Sequence, residues 1–481
     1  MEKCWTFSIK NVKIYFKLVK WRFKASYICS FADKDYTYGG KNLAKKFIKL
    51  SPGRIIALGF LAAIMIGSGL LMLPCSIRDG QTVKYIDALY TSASAVCVTG
   101  LTTVDPGVTF TPIGQFFIAL LIQIGGLGLT TIGAGVMLIA GKRIGLGGRN
   151  LIKEAGNLDN GRDVIRFVKS VLFTTLAIEL VGAALSFIVF VQEYSPIQAI
   201  GYSLFHSVAT FNNSGCDIFV NPNNPYSNDS MVVYHDNILL NLITVGLIIL
   251  GGIGFLVIRE IKRKGIHWKK YSMHAKVVIS VSAFLIVVGT LLIKLTETDE
   301  SWLSALFHSV STRTAGFSTT DIGSLSPAGL LVIMVLMFIG ASPGSTGGGI
   351  KTTTVFVLFC GIISAATNRS EKAFKYSIPK NLFRKAAVIT LLALALVLTS
   401  TWLLLIFEPD VSFLDALFEM TSAFGTVGLS TGITSALSTS SKLLSILMMY
   451  IGRLGPLTIA SLWYFTKGER VKYPEGYIAV G

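Results

Sequence analysis

Ala88-Leu-Tyr-Thr-Ser-Ala-Ser-Ala-Val-Cys-Val-Thr-Gly100 decides the reading of this 481-residue chain, because three similar stretches follow it. They are Ser203-Leu-Phe-His-Ser-Val-Ala-Thr-Phe-Asn-Asn-Ser-Gly215, Ala305-Leu-Phe-His-Ser-Val-Ser-Thr-Arg-Thr-Ala-Gly316 and Ala416-Leu-Phe-Glu-Met-Thr-Ser-Ala-Phe-Gly-Thr-Val-Gly428. Each is semi-polar, opens on a small residue, leucine and an aromatic, and closes on glycine. The aromatics Tyr90, Phe205, Phe307 and Phe418 stand 115, 102 and 111 residues apart, so one unit recurs four times.

Apolar runs flank every piece: 55–74 and 113–140, 168–192 and 237–258, 276–295 and 328–363, 386–407 and 442–466. A membrane helix needs ~20 apolar residues, and these eight runs meet or approach that length. In the second run of each pair, Gln123-Ile-Gly-Gly-Leu-Gly, Leu250-Gly-Gly-Ile-Gly, Phe338-Ile-Gly-Ala and Tyr450-Ile-Gly-Arg-Leu-Gly hold matching places. Small residues there let helices approach closely. The expected fold is an all-α integral membrane protein of four tandem helix–pore loop–helix repeats, with eight membrane helices around a central ion pore. The repeats are expected at residues 51–150, 163–265, 272–370 and 380–467, after a basic extension over 1–50 and before a tail over 468–481.

Composition agrees. Hydrophobic residues are 52% and charged residues 14%, against ~25% charged in an average soluble domain, too few to coat a soluble enzyme. With 47 glycines and 13 prolines, the chain is neither collagen-like nor disordered. The net charge of +17 would suggest nucleic-acid binding in a soluble protein, but the basic residues lie between the apolar runs. Clusters at Lys142, Arg143, Arg149 and Lys153, at Arg259, Lys262, Arg263 and Lys264, at Arg369, Lys372 and Lys375, and at Lys467, Arg470 and Lys472 therefore mark cytoplasmic connectors. The expectation is a multi-pass protein of the plasma (inner) membrane, both termini cytoplasmic, with lipid and not nucleic acid as its surroundings. The six cysteines show no CxxC spacing, so no metal or disulfide framework is indicated. No cleaved signal peptide is expected, because the first apolar run starts near Arg54 without a small-residue cleavage site. In the extension, Lys10, Lys13, Lys17, Lys20 and Lys24 make a basic stripe beside Val12, Phe16, Val19 and Phe23. This reads as a helix lying on the anionic leaflet, with a disordered basic tail as the alternative.

The glycine-ended pieces, ~10–13 residues long, are too short to span a bilayer, and irregular backbone at membrane depth is tolerated only where it is buried or lines water. Four around one axis make a pore. An ion leaving water needs its hydration oxygens replaced, and rings of backbone carbonyls do that for potassium without adding net charge. Hence Val98-Thr99-Gly100, Asn213-Ser214-Gly215, Thr314-Ala315-Gly316 and Thr426-Val427-Gly428 are expected to be four filter strands, the glycines allowing dihedrals that a β-carbon disfavours.

On these motifs the chain resembles the ion-conducting subunit of the Trk/Ktr/HKT superfamily of potassium transporters over residues 51–481, nearest the Ktr branch. The family's filter glycines match Gly100, Gly215, Gly316 and Gly428, and four glycines imply potassium preference. Two departures exist: Cys216 follows the second glycine where Phe or Leu is more usual, and the third piece is one residue shorter between aromatic and glycine. The resemblance implies potassium bound at the filter and transported as substrate, no covalent cofactor, and leaves sodium dependence open.

Within the third repeat's second apolar run stands Gly340-Ala341-Ser342-Pro343-Gly344-Ser345-Thr346-Gly347-Gly348-Gly349-Ile350-Lys351. So many glycines and a proline should unwind a helix just below the filter. The resemblance makes this the intramembrane gating loop, with Lys351 adding charge; a plain kink is the bland alternative. A nucleotide-binding P-loop is rejected, since Ile350 separates glycine from lysine and no strand precedes. Arg453 aligns with the glycine-rich centre of the other repeats, and a charge at membrane depth is a functional candidate. It resembles the family's pore-facing arginine, a barrier to cations; its alternative is a structural bond to helix carbonyls or the loop. Glu179 reads as a buried hydrogen-bonded carboxylate. Arg313 is expected to pair behind the filter with a group such as Glu419, and His206 and His308 to open pore helices as packing residues.

Two rivals remain. A secondary transporter with broken helices usually shows inverted repeats, whereas these run in one orientation and a single interruption is expected. An intramembrane enzyme needs a catalytic set within the apolar helices, and none stands out. The tail Tyr477-Ile-Ala-Val-Gly481 is apolar with no span to enter, and resembles a Ktr C-terminus lying between two subunits. The resemblance therefore implies a homodimer docked on a cytosolic ring of nucleotide-binding regulatory subunits.

Overall fold

The computed structural model describes residues 52–139, 164–219 and 231–456. The basic extension, the connector with Lys142–Lys153 and the C-terminal tail lie outside the described residues. Helices dominate: α1 (Pro52–Leu71), α2 (Tyr85–Cys97), α3 (Pro112–Leu127), α4 (Leu129–Ile139), α5 (Val164–Phe190), α6 (Pro196–Phe211), α7 (Ile238–Gly252) and α8 (Phe255–Lys264) make the first half. The second half is α9 (Met273–Thr296), α10 (Trp302–Ser311), α11 (Pro327–Phe338), α12 (Thr352–Thr367), α13 (Lys380–Phe407), α14 (Phe413–Gly425) and α15 (Thr439–Leu454). One departure from an all-α reading is a small antiparallel hairpin, β1 (Lys372–Ala373) with β2 (Tyr376–Ser377), a tight turn in a polar connector.

Four helices, α1, α5, α9 and α13, are long and apolar enough to cross a membrane, and each bent pair, α3 with α4 and α7 with α8, adds one more. The bends are 100° and 99°. This corrects the expectation of a single interrupted helix. Gly128 (φ 80°, ψ 135°) ends α3, Gly254 (φ 95°, ψ 140°) opens α8 and Gly455 (φ 86°, ψ 139°) caps α15 in nearly one conformation. That region favours glycine, so the last glycine of each Gly-Gly-Leu-Gly-like motif is where the helix stops. Large side chains such as Phe173, Phe284 and Leu391 are exposed on the outer helices, whereas Ser92, Thr210, Ser309 and Ser422 are fully buried inside. An apolar exterior over an interior that satisfies its own polar groups is what lipid surroundings demand.

The short helices α2, α6, α10 and α14 sit at the centre. Serines tie three of them to the preceding long helix: Ser92 donates to the Ile64 carbonyl at 2.7 Å, Ser207 to that of Glu179 at 2.6 Å and Ser309 to that of Ile286 at 2.8 Å. Opposite each serine the long helix carries glycine, at Gly67, Gly182 and Gly289, where a β-carbon would collide with the serine hydroxyl. Each following helix also packs on the next central helix: α3 on α6, α7 on α10, α11 on α14, and α15 back on α2. The last contact is fastened by Lys442 with Asp87 at 2.8 Å and Tyr90 with Ser445 at 2.9 Å.

A β-carbon at Gly251 would strike the Phe211 backbone carbonyl, while Gly246 on the same helix faces open space. Overpacking of this kind costs typically ~1–3 kcal/mol. Gly251→Ala should therefore lower the melting temperature of the detergent-solubilised protein, and Gly246→Ala should leave it level or raise it. Equal behaviour of the two variants would contradict the close approach of α7 to α6.

Candidate functional site

Each central helix runs out into a left-handed residue two positions before its glycine: Val98 (φ 59°), Asn213 (φ 58°), Thr314 (φ 76°) and Thr426 (φ 51°). A non-glycine residue rarely takes that conformation, and its recurrence at one position in four units marks a required geometry. Gly100, Gly215, Gly316 and Gly428 follow with φ of 93°, 65°, 76° and 102°. A β-carbon on Gly100 would strike the Ser214 carbonyl oxygen, on Gly215 that of Ala315, on Gly316 that of Val427, and on Gly428 that of Thr99. Those four contacts close a circle through all four units.

The strands are held from behind. Thr99, Ser214 and Val427 donate their amides to the carbonyls of Ser94, Ala209 and Ser422, five residues earlier, at 2.8, 2.8 and 3.0 Å. Gly100 and Gly428 donate to the hydroxyls of the same serines, Ser94 and Ser422, at 2.9 and 3.2 Å. In the third unit Ala315 and Gly316 both donate to the Ser311 carbonyl, at 2.8 and 3.2 Å, so the missing residue is absorbed where the helix ends and the triplet keeps its shape. Among the described residues no group donates to the carbonyls of Thr99, Ser214, Ala315 or Val427. Beyond the ring a cavity of 470 Å³ is lined by all four glycines with Cys216, Asp217 and Asp321.

On the other side lies the segment between α11 and α12. Ile339 and Ile350 pair as a parallel β-bridge, so residues 340–349 are a closed excursion and not an unwound stretch of helix. Gly348 donates to the Thr426 hydroxyl at 3.1 Å, and Gly347 abuts the Thr314 hydroxyl. Ser342 and Thr346 donate their amides to Gly252 and Gly251 at 3.1 and 3.3 Å, and Phe255 donates to Gly344 at 2.9 Å. Gly340 lies against the Gly348 carbonyl, Ala341 is buried, Pro343 faces Gly254, and Ser345 donates to Ser342 at 2.7 Å. Lys351 turns back to donate to Gly347 at 2.7 Å and Gly348 at 3.1 Å. Arg453 donates to the carbonyls of Thr346 and Gly125, and to Gly126 at 3.3 Å. The segment thus contacts its own unit and the second and fourth directly, and Arg453 ties it to the first.

Some expected partners differ. Arg313 donates to the carbonyl and hydroxyl of Ser282, at 3.4 and 3.2 Å, and Glu419 accepts from Ser430 at 2.8 Å and Thr434 at 2.5 Å, so the two do not pair. Each bonds instead to neutral partners within its own unit. His206 and His308 lie well inside α6 and α10, not at their openings, bonded to Thr244 at 3.0 Å and Thr320 at 2.9 Å. Glu179 is the buried hydrogen-bonded carboxylate expected, but its partners escaped the sequence reading: Asn212, just before the second triplet, donates to Gln123 at 2.8 Å and Glu179 at 3.1 Å, and Gln123 donates to Glu179 at 3.2 Å. A lone glutamate in an apolar helix was the signal, since such a group needs donors.

Residues 54–281 and 272–466 match the model of the TrkH family, described as cation transport protein. The chain is 36% identical to the Ktr system potassium uptake protein B of Bacillus subtilis, covering 92% of this chain and 99% of that protein. It is 37% identical to the potassium/sodium uptake protein NtpJ of Enterococcus hirae, covering 90% and 98%. Its fold is similar to the crystal structure of the potassium transporter TrkH from Vibrio parahaemolyticus, with a TM-score of 0.70 and 19% identity over 94% of this chain and 91% of that one. These relatives are transport proteins, not enzymes.

Replacing Asn212 by Leu leaves the Glu179 carboxylate with Gln123 alone. Leaving a buried polar group short of partners costs ~1–3 kcal/mol. The thermal midpoint of Asn212→Leu should fall, and adding Glu179→Gln should restore part of the loss. A midpoint unchanged by Asn212→Leu would show that the cluster contributes no stability.

Proposed function

The chain belongs to the TrkH family of cation transport proteins, and from that premise we propose that it is the ion-conducting subunit of a potassium uptake system. The observation that carries the reading is the circle of four glycine contacts, because it brings four undonated carbonyls, of Thr99, Ser214, Ala315 and Val427, around one axis. Carbonyl oxygens so arranged replace the hydration shell of a potassium ion without a net charge to trap it. Val98, Asn213, Thr314 and Thr426 then form the inner end of the filter, and the cavity beyond the glycines is its outer mouth, where Asp217 and Asp321 favour cations. The four units at 51–150, 163–265, 272–370 and 380–467 would supply eight membrane passes, with the basic connectors, both termini and the extension 1–50 on the cytoplasmic face of the plasma membrane.

Residues 340–351 are the gate in this reading. They press on Thr314 and Thr426 directly beneath the filter, and Lys351 and Arg453 put two cations on the ion's path. Arg453 is both barrier and latch, since the carbonyls it binds belong to the loop and to α3. A secondary transporter is the weaker reading, because the convergent groups are backbone carbonyls, not a side-chain pocket. The protein would be a homodimer through its tail, docked on a ring of nucleotide-binding regulatory subunits. Relatives named for potassium uptake and for potassium and sodium uptake support potassium as cargo and leave sodium as a second permeant or coupling ion.

Flux assays in liposomes test the reading. Gly100→Ser and Gly316→Ser put a β-carbon against the neighbouring carbonyl, so the potassium-to-sodium permeability ratio should drop in both; unchanged ratios would remove the filter assignment. Deleting part of Ser345–Gly349, or replacing Arg453 by Ala, should raise potassium flux. A well-folded deletion that carries no more potassium than the wild type would end the gating role. Removing Tyr477–Gly481 should convert the dimer to monomer by mass in nanodiscs, and a truncated protein that stays dimeric would exclude the tail as the interface.

A further inference from the structure

Beside the loop, on the face carrying the basic helix α8, lies a second cavity of 740 Å³. Arg259 and Arg263 from α8 and Lys385 from α13 line it, with Thr354 near the start of α12. Arg259 and Arg263 are one turn apart and share a face of their helix. The acidic lining residue, Glu260, is already engaged: it accepts from Lys264 at 2.5 Å and from the amide and hydroxyl of Ser272, both at 2.7 Å. Among the described residues Arg259, Arg263 and Lys385 form no ion pair. Three cations facing one cavity with no ion-pair partner of their own repel one another, and an anion placed between them removes that cost.

The chemistry narrows the anion. Paired guanidinium forks match the oxygen geometry of phosphate, and a lysine adds a point charge. The wall also carries apolar residues, Leu256, Val357 and Ile389 among them, beside the polar Ser272, His274 and Thr353. A phosphate with a hydrocarbon attached suits such a wall, and basic pockets between membrane helices on the cytoplasmic side hold anionic headgroups.

The cavity also reaches the gate. Lys351 lines both it and the 270 Å³ cavity beneath the loop, where Gly344, Ser345 and Arg453 stand. Its ammonium is held by the loop carbonyls of Gly347 and Gly348. We propose that this cavity binds a phosphate-bearing anion between Arg259, Arg263 and Lys385, and that the bound anion draws Lys351 off the loop carbonyls and favours loop opening. The second half rests on the gating reading above; the first does not.

The test uses the full-length protein. Phosphatidylglycerol retained by the purified protein is measured by native mass spectrometry against phosphatidylcholine, and pyrophosphate binding is measured by calorimetry. Each cation near a lipid headgroup contributes enough that its loss should weaken binding roughly fivefold, so Lys385→Gln and Arg259→Gln should each do so. Arg263→Gln added to both should abolish retention. Preference for phosphatidylglycerol identifies a lipid source and pyrophosphate binding alone a soluble one; either supports the site. Equal retention in the wild type and the triple variant overturns it, as does the absence of binding by both probes. Rubidium uptake into phosphatidylcholine liposomes, with the active probe added, reads the coupling. The anion should raise wild-type flux several-fold and leave the triple variant unmoved, and binding with no change in wild-type flux overturns the coupling. The loop deletion separates the two ideas: if it carries no more rubidium than the wild type, the gating reading fails while the binding result stands. Should the triple variant not fold, Lys385→Gln alone carries both measurements.

Discussion

Four backbones meet at Gly100, Gly215, Gly316 and Gly428 more closely than any β-carbon allows, and much of the molecule is arranged to hold them there. Four residues just ahead accept a left-handed conformation, and carbonyls and serine hydroxyls of the central helices accept hydrogen bonds from the strand amides to hold them in place. Those helices are pinned by serines that reach long-helix carbonyls, and this is achievable only where Gly67, Gly182 and Gly289 let the helices touch. The constraint travels outward from the ring, through hydrogen bonds to helix packing, and ends at an apolar exterior. A change at a buried glycine far from the ring is therefore a change in how the ring is supported.

The loop beneath the ring poses the opposite problem. Backbone outside a helix at membrane depth exposes polar groups that lipid cannot satisfy, so it persists only where partners are supplied. Most come from other units: Gly251 and Gly252 accept its amides, Thr426 accepts another and Arg453 takes one of its carbonyls, while the loop's own Lys351 takes two more. Two half-buried cations are expensive at that depth, and their carbonyl partners offset the expense. Loop and cations stabilise each other, so displacing either one exposes the other.

The four glycine-ended pieces, the flanking apolar runs and the glycine-rich break were legible because each leaves a periodic or compositional mark that survives without coordinates. The bends at Gly128 and Gly254 were not, because a glycine that ends a helix looks the same in sequence as Gly125 or Gly251, which let helices touch. Only the backbone dihedral separates those roles. From sequence the excursion at 340–349 looks like an unwound helix, since a bridge between Ile339 and Ile350 leaves no signature in two apolar residues. The partners of Arg313 and Glu419 were misjudged for a related reason. Charge suggests a mate of opposite sign, but buried groups settle for whichever neutral donor or acceptor lies in reach, here Ser282 for one and Thr434 for the other.

The covalent linkage of unequal units explains what a symmetric assembly could not contain. Arg453 occupies the place held by Gly126 and Gly252 in the first and second units, and those glycines face Asn212 and Asn213 across narrow gaps. Identical subunits would bring four arginines to one level beneath the ring, each pair repelling by ~4 kcal/mol at 4 Å for an effective dielectric of 20. They would also bring four loops into a space that one already fills by contacting three other units, directly or through Arg453. In a single chain the ring can keep its fourfold geometry while the level below it carries one arginine and one loop, matched to each other. Near-symmetry thus serves the ring, where four carbonyls converge, and asymmetry serves the level below it, where a single arginine and a single loop are matched.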